Sequence, residues 1–351
     1  MRIVEDRERP PNHFHLFSNP RKLAGQRATD RVHDDRGRER RLRRGYSETE
    51  STRRLRVEAE QTRAFVSTGV ITLDQLQAIG IPVAMATLAI EGSPLILAAI
   101  SLPAVIAVGR ALRGCEAMTH EASHQNVCRK HRWVNDTIVN IGASISVFST
   151  VARFRAGHLK EHHGGYGSIA DPCRDRYMVA DFDGIRRTCG VLTFGLDVAR
   201  RLPSYYVRWW RAIGSDLETG ILAASWHCII WAGITTAIGW DLARVALLYW
   251  IASFAIGLPI IRMIGEADEH DYGGSTEFEG TYSSLGRTQR FIFHPHGDGY
   301  HAEHHRYARV PHHRLRRLRK DLLSLDPAWI HAPFRSRVME SRNYKSKGAR
   351  Q

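Results

Sequence analysis

Two pairs of long apolar runs, each pair joined by only two or three residues, constrain this chain more than any other feature of its sequence. Leu76–Ile90 (LQAIGIPVAMATLAI) and Ser93–Leu112 (SPLILAAISLPAVIAVGRAL) are separated by Glu91-Gly92. Thr219–Ile238 (TGILAASWHCIIWAGITTAI) and Leu242–Ile264 (LARVALLYWIASFAIGLPIIRMI) are separated by Gly239-Trp240-Asp241. A helix needs about 20 mostly apolar residues to cross about 30 Å of hydrocarbon, so the first run is short and borrows from its preceding turn. Connections this brief allow only a tight reversal. The pattern predicts an all-α membrane protein with four transmembrane helices arranged as two hairpins; the competing reading is four buried helices of a soluble bundle.

Each hairpin returns the chain to the side from which it entered, so the large polar segments share one side. That side holds Arg129–Arg132, Arg153–Arg176 and Arg306–Lys320, and an excess of Lys and Arg marks it as cytoplasmic, with both termini there. Residues 135–153 are moderately apolar and read as an interfacial helix rather than a fifth span. The formal charge of +14 would also suit a nucleic-acid binder, while the mean hydropathy of -0.32 averages a very polar first segment with the apolar runs. Residues 1–64 carry Arg36-Gly37-Arg38-Glu39-Arg40-Arg41 and little periodicity, and are expected to be a basic, disordered extension, read either as the product of an early start codon or as an electrostatic tether to anionic lipid. No apolar stretch of a signal peptide stands near the start. Residues 65–335 form the catalytic domain and 336–351 a basic flexible tail. The five cysteines are dispersed and without a CxxC pair, which indicates neither a disulfide framework nor a cysteine zinc site.

The chemistry lies in three histidine clusters: His120-Glu-Ala-Ser-His124, His158-Leu-Lys-Glu-His162-His163 and His301-Ala-Glu-His304-His305. Residues three or four apart share a helix face, so each cluster can aim at least two imidazoles at one point. The first should continue the second apolar helix beyond the membrane surface. Glu266-Ala-Asp-Glu-His270, just past the last apolar run, adds one more histidine. These nine histidines can supply four or five ligands to each of two metal ions. Imidazole suits Zn, Cu, Fe or Ni, and a two-metal centre with positions open for dioxygen points to iron. Glu121, Glu161, Asp268 and Glu303 stand beside the ligands and can orient their rings.

Through HEASH, HLKEHH, ADEH and GYHAEHHRYARVPHHRL, over about residues 75–320, the sequence resembles the membrane fatty-acid desaturase and hydroxylase superfamily. The resemblance implies a four-span fold whose cytoplasmic helical cap carries the histidine boxes, a non-haem di-iron centre, and use of dioxygen with external electrons. The ligand role then falls on His120, His124, His158, His162, His163, His301, His304 and His305, with His270 where the family has an extra His or Asn ligand. Two departures stand out. Three residues separate His158 from His162 where two are usual in desaturases, and Cys173 and Arg174 interrupt the acidic stretch Asp171-Pro172-Cys173-Arg174-Asp175. No cytochrome b5 motif is present, so electrons should come from a separate ferredoxin or cytochrome system.

Other readings compete. HEASH alone is also the pattern of zinc proteases, but that leaves two clusters without a role. His13, His15, His33, His131 and His331 read as ordinary surface residues, and His294, His296, His312 and His313 as neighbours of the third cluster rather than ligands. His227, inside an apolar run, reads as packed and hydrogen-bonded to a helix carbonyl, and Arg262 as reaching for the interface. The tryptophans suit interfacial anchoring or core packing. The stretch Arg314–Lys320, with leucines between its charges, suits an amphipathic helix on anionic lipid better than nucleic acid. The sequence thus predicts an acyl desaturase acting on a lipid-like substrate in the bilayer. The alternatives are a hydroxylase or ketolase of an acyl, carotenoid or secondary-metabolite substrate, and a non-catalytic metal-binding or transport protein.

Overall fold

The computed structural model describes residues 45–338 except 93, 187–190 and 215; residues 1–44 and 339–351, which hold most of the basic extension and the tail, lie outside the described residues. What is described is mostly helical. Four helices are long and apolar enough to cross a membrane: α2 (Ala64–Glu91), α3 (Pro94–Ser123), α9 (Leu217–Ile238) and α10 (Trp240–Glu269). The apolar run of 76–90 is thus part of a 28-residue helix, about 42 Å long at 1.5 Å per residue. α3 opens on Pro94, whose missing N–H costs nothing in a first turn, and runs through Leu112 into the first histidine cluster.

α3 and α10 are locked together at a point where both lack side chains. A Cβ on Gly109 would lie 2.3 Å from the Gly257 carbonyl carbon, and one on Gly257 would lie 2.3 Å from the Val105 carbonyl oxygen. Small residues of this kind let helix backbones approach closely. Gly257 ends a π-helical turn, Ser253–Gly257, inside α10. The contact holds the two helices together upstream of their C-terminal ends, at Ser123 and Glu269, which lead directly into His124 and His270.

Between the two helix pairs the chain forms α4 (Arg132–Val139) and α5 (Val151–Gly157). Arg132–Val147 and Val151–His163 meet at 79°, with Phe148 in the left-handed region at φ 56°, so residues 135–153 are a bent pair of helical segments rather than a straight helix. α6 (Pro172–Val179), α7 (Phe182–Arg186) and α8 (Val191–Gly214) follow, and past α10 come α11 (Glu277–Gly280), α12 (Arg287–Phe293), α13 (His301–Arg306) and α14 (His312–Leu325). A two-residue parallel pairing of β1 (Ser283–Ser284) with β2 (Phe334–Arg335) closes the C-terminal segment onto this layer.

Three sequence readings change here. Within the extension expected to be disordered, Glu50–Ala59 forms a helix, α1, capped by Thr49 and Thr52. Its Ala59 and Leu55 pack with Leu315, Leu318 and Leu322 of α14 in a second apolar cluster. The apolar stripe of α14 is therefore covered by protein and not by lipid; an amphipathic pattern looks the same in either case. Arg262 does not reach for an interface. It is buried, 2.6 Å from Glu116 and 2.9 Å from Glu266. His227 places Nε2 3.2 Å from the Ser146 carbonyl, the packed, hydrogen-bonded arrangement expected for it. Trp209 and Trp250 are core residues, while Trp240 is exposed.

Candidate metal centre

Four elements present the nine histidines. His120 sits in the last turn of α3, and His124 follows where that helix ends. His158, His162 and His163 lie in a π-helical turn, His158–His163, that extends α5. This turn accounts for the unusual spacing of the second cluster: i→i+5 bonding widens the helix, and His158 comes within 5.3 Å of His162 and 4.5 Å of His163, ring centre to ring centre. His301, His304 and His305 lie on α13. His270 caps α10 and bridges to Thr281.

The rings sort into two groups. His120, His124, His158, His163 and His304 form one; His162, His270, His301 and His305 form the other. In each, the candidate ligand atoms all lie within 4.8 Å of one another. Facing Nε2 pairs are 2.9 Å apart for His124 and His158, 3.2 Å for His163 and His304, 3.0 Å for His162 and His305, and 3.1 Å for His301 and His270. Metal–nitrogen bonds of about 2.1 Å place adjacent ligands of one ion about 3 Å apart, so the donor set and spacing fit two metal ions side by side.

What lies behind the rings also fits. Asp171 accepts from His162 Nδ1 at 2.9 Å, Glu277 from His305 Nδ1 at 2.9 Å, and the Glu266 carbonyl from His270 Nδ1 at 3.1 Å. With its hydrogen on Nδ1, each neutral ring turns an Nε2 lone pair inward. Burial, reinforced by neighbouring imidazoles, holds His124, His158, His301 and His305 well below the usual histidine range, and His270 and His304 at about 4. His162 goes the other way: burial opposes protonation, but Cys173 and Asp171 overcome it. Neutral imidazole is the form that binds a metal, so His162 has to give up its second proton to turn an Nε2 lone pair inward.

The acidic residues expected to orient the rings do other things. Glu121 accepts from the His312 backbone N–H, Glu303 binds Arg319 and Ser283, Asp268 accepts from Gln289, and Glu161 is exposed. Adjacency in sequence misled because the residue after a helical ligand points about 100° away from it. The carboxylates that do hold rings come from elsewhere: Asp171 was visible as part of the acidic stretch after the second cluster, whereas Glu277 carries no sequence signal. His294, His296, His312 and His313 stay outside both groups, and His294 lies instead with Glu269 and Asp298.

Next to the rings is a layer of buried charge. Arg262 bridges Glu116 and Glu266, Arg176 makes two 2.8 Å bonds to Glu266, Tyr205 donates to the same carboxylate at 2.9 Å, and Arg113 pairs with Asp298. These pairs tie α3, α6, α8 and α10 together one or two turns before His120 and His270. Buried pairs of this kind add little net stability, because desolvation offsets their attraction.

Comparison with known families then gives an independent finding. A family model described as fatty acid desaturase matches residues 94–337, more than two thirds of the chain, including all nine histidines and three of the four long apolar helices. Among curated proteins, none matches.

Proposed function

Because the chain belongs to the fatty acid desaturase family, we propose that it is a membrane-bound, dioxygen-dependent oxidoreductase that introduces a double bond into a fatty-acyl or lipid substrate at a non-haem di-iron centre. The observation that carries this reading is the division of nine histidines into adjoining groups of five and four. A structural zinc site needs four ligands, and a protease-type site uses three; nine in two groups suit a pair of ions that share a co-substrate.

The two irons, when bound, supply reductive activation of dioxygen. Removal of two hydrogens from adjacent carbons is balanced by reduction of one dioxygen to two waters, with two electrons and two protons taken up. The electrons come from a separate ferredoxin or cytochrome system. The chain's own part is to position and shield. Asp171, Glu277 and the Glu266 carbonyl hold rings, and the buried pairs around Arg262 fix the helices that carry them. The long helices cross the bilayer as two hairpins, reversing at Glu91-Gly92 and at Gly239, with the arginine-rich segments and the metal centre on the cytoplasmic side.

The test is lipid product analysis of membranes from cells with and without the protein, alongside the variant His304→Ala. A new double bond that disappears in the variant supports desaturation. A new alcohol in its place would assign the chain to hydroxylation, and a double bond formed equally well by His304→Ala would refute the site.

A further inference from the structure

His304 and His312 both line one small cavity, and each leaves a buried ring nitrogen without a protein partner. The cavity lies beside the five-histidine group, and His120, Glu121, His296, Asp298, His304 and His312 line it. Its free space for a water centre is about 10 Å³, and about 10–15 Å³ holds one water. His304 Nδ1 and His312 Nε2 are both buried with no protein partner.

The tautomers follow from what each ring already binds. His312 Nδ1 lies 2.9 Å from the His296 carbonyl oxygen. A carbonyl only accepts, so Nδ1 carries the hydrogen and Nε2 is a bare acceptor in the neutral ring. Burial, helped by His296 and His313, keeps this ring neutral, its pKa lowered to about 3. His304 is the converse. Its Nε2 faces His163 Nε2 at 3.2 Å within the five-histidine group; with that lone pair directed to a metal, Nδ1 carries the hydrogen and is a donor without an acceptor. One buried donor and one buried acceptor, each costly if left unmet, thus belong to two rings that line a space the size of a single water.

We propose that one water molecule bridges His304 Nδ1–H and His312 Nε2, making His312 a positioning residue for the metal-facing ring of His304. The inference rests on the metal-centre reading for the orientation of His304. A water accepts from the first ring and donates to the second, which satisfies both at once. A cation in the same space suits it less well: Arg113 already neutralises Asp298, and Glu121 is engaged by the His312 backbone N–H. The bridge has a firm anchor. His296, whose carbonyl fixes His312, is held at φ 57° with its own Nε2 2.6 Å from Asp74 Oδ2 of α2. A path of contacts therefore runs from Asp74 through His296 and His312 to His304, and begins in a helix upstream of the matched family region. His162, His270 and His305 have protein acceptors at Nδ1, whereas His304, like His301, has none.

The experiment combines a high-resolution structure of the full chain with Co(II) titration, followed by visible absorption, of wild type, His312→Phe and His312→Gln. Phe fills the cavity without an acceptor; Gln keeps one donor for the His296 carbonyl and one acceptor for the water. The proposal expects a density peak within hydrogen-bond distance of both ring nitrogens. It also expects about a 10–100-fold loss of Co(II) affinity at one of two sites in His312→Phe, and a loss of no more than about threefold in His312→Gln. Absence of the peak, equal damage by Phe and Gln, or a third equivalent of Co(II) that is lost in His312→Phe would overturn it. If wild type binds no Co(II), the di-metal reading fails, and the density peak alone decides the water bridge.

Discussion

Asp171 and Glu277 show how little of a metal centre a residue's neighbours in sequence reveal. Eight of the histidines were legible from their helical spacing and His270 from its place just past the last apolar run, and the structure brings all nine together. The carboxylates behind them were not, since they reach the rings from separate turns. Asp171→Asn and Glu277→Gln should each weaken metal binding at the four-histidine group by about 10–100-fold while leaving the fold intact; metal titration that matches wild type would remove these residues from the centre. His294 gives a pH prediction. Burial disfavours its charged form, but Asp268 and Glu269 outweigh burial and raise it to about 9 from an ordinary 6.5. A raised pKa means that its stabilisation is fully present below about pH 6.5 and is lost as pH climbs through about 9. Thermal unfolding in detergent should therefore show wild type losing stability across that window, and His294→Gln should flatten the loss. An unchanged pH profile in the variant would contradict this assignment.

At the scale of elements, the long apolar helices were plain from hydropathy, and α3 continues into the first histidine cluster as expected. Where hydropathy ran out, the limits were physical. The π-helical turn at His158–His163 was not foreseen, although the spacing i, i+4, i+5 was its signature: a wider helix brings those three rings to one face. The pairing of α1 with α14 was hidden because an apolar stripe does not name its partner. The contact of Gly109 with Gly257 was equally silent, as a glycine in an apolar helix can be there for many reasons. This contact carries a sharp prediction. Gly109→Val should destabilise the protein by at least about 1–3 kcal/mol through overpacking and lower metal occupancy of both groups together. Gly233→Ala, where an added Cβ meets nothing within 4 Å, should do neither. Comparison of thermal unfolding and bound metal for the two variants checks it, and equal behaviour would argue against the contact as the feature that aligns α3 with α10.

At the scale of the whole molecule, a membrane-side layer of apolar helices, a belt of buried ion pairs and a layer of histidines are stacked on the C-terminal ends of α3 and α10. The order follows from the sequence of those two helices, each of which passes from apolar residues through Arg113–Glu116 or Arg262–Glu266 to histidine. The proposed metal content follows from the two histidine groups. Iron and zinc should be quantified by elemental analysis of the purified full chain, against its protein concentration. Two irons per chain are predicted, falling towards zero when His124 and His304 are both replaced by alanine; a single zinc per chain, or metal content indifferent to those substitutions, would contradict the di-iron account.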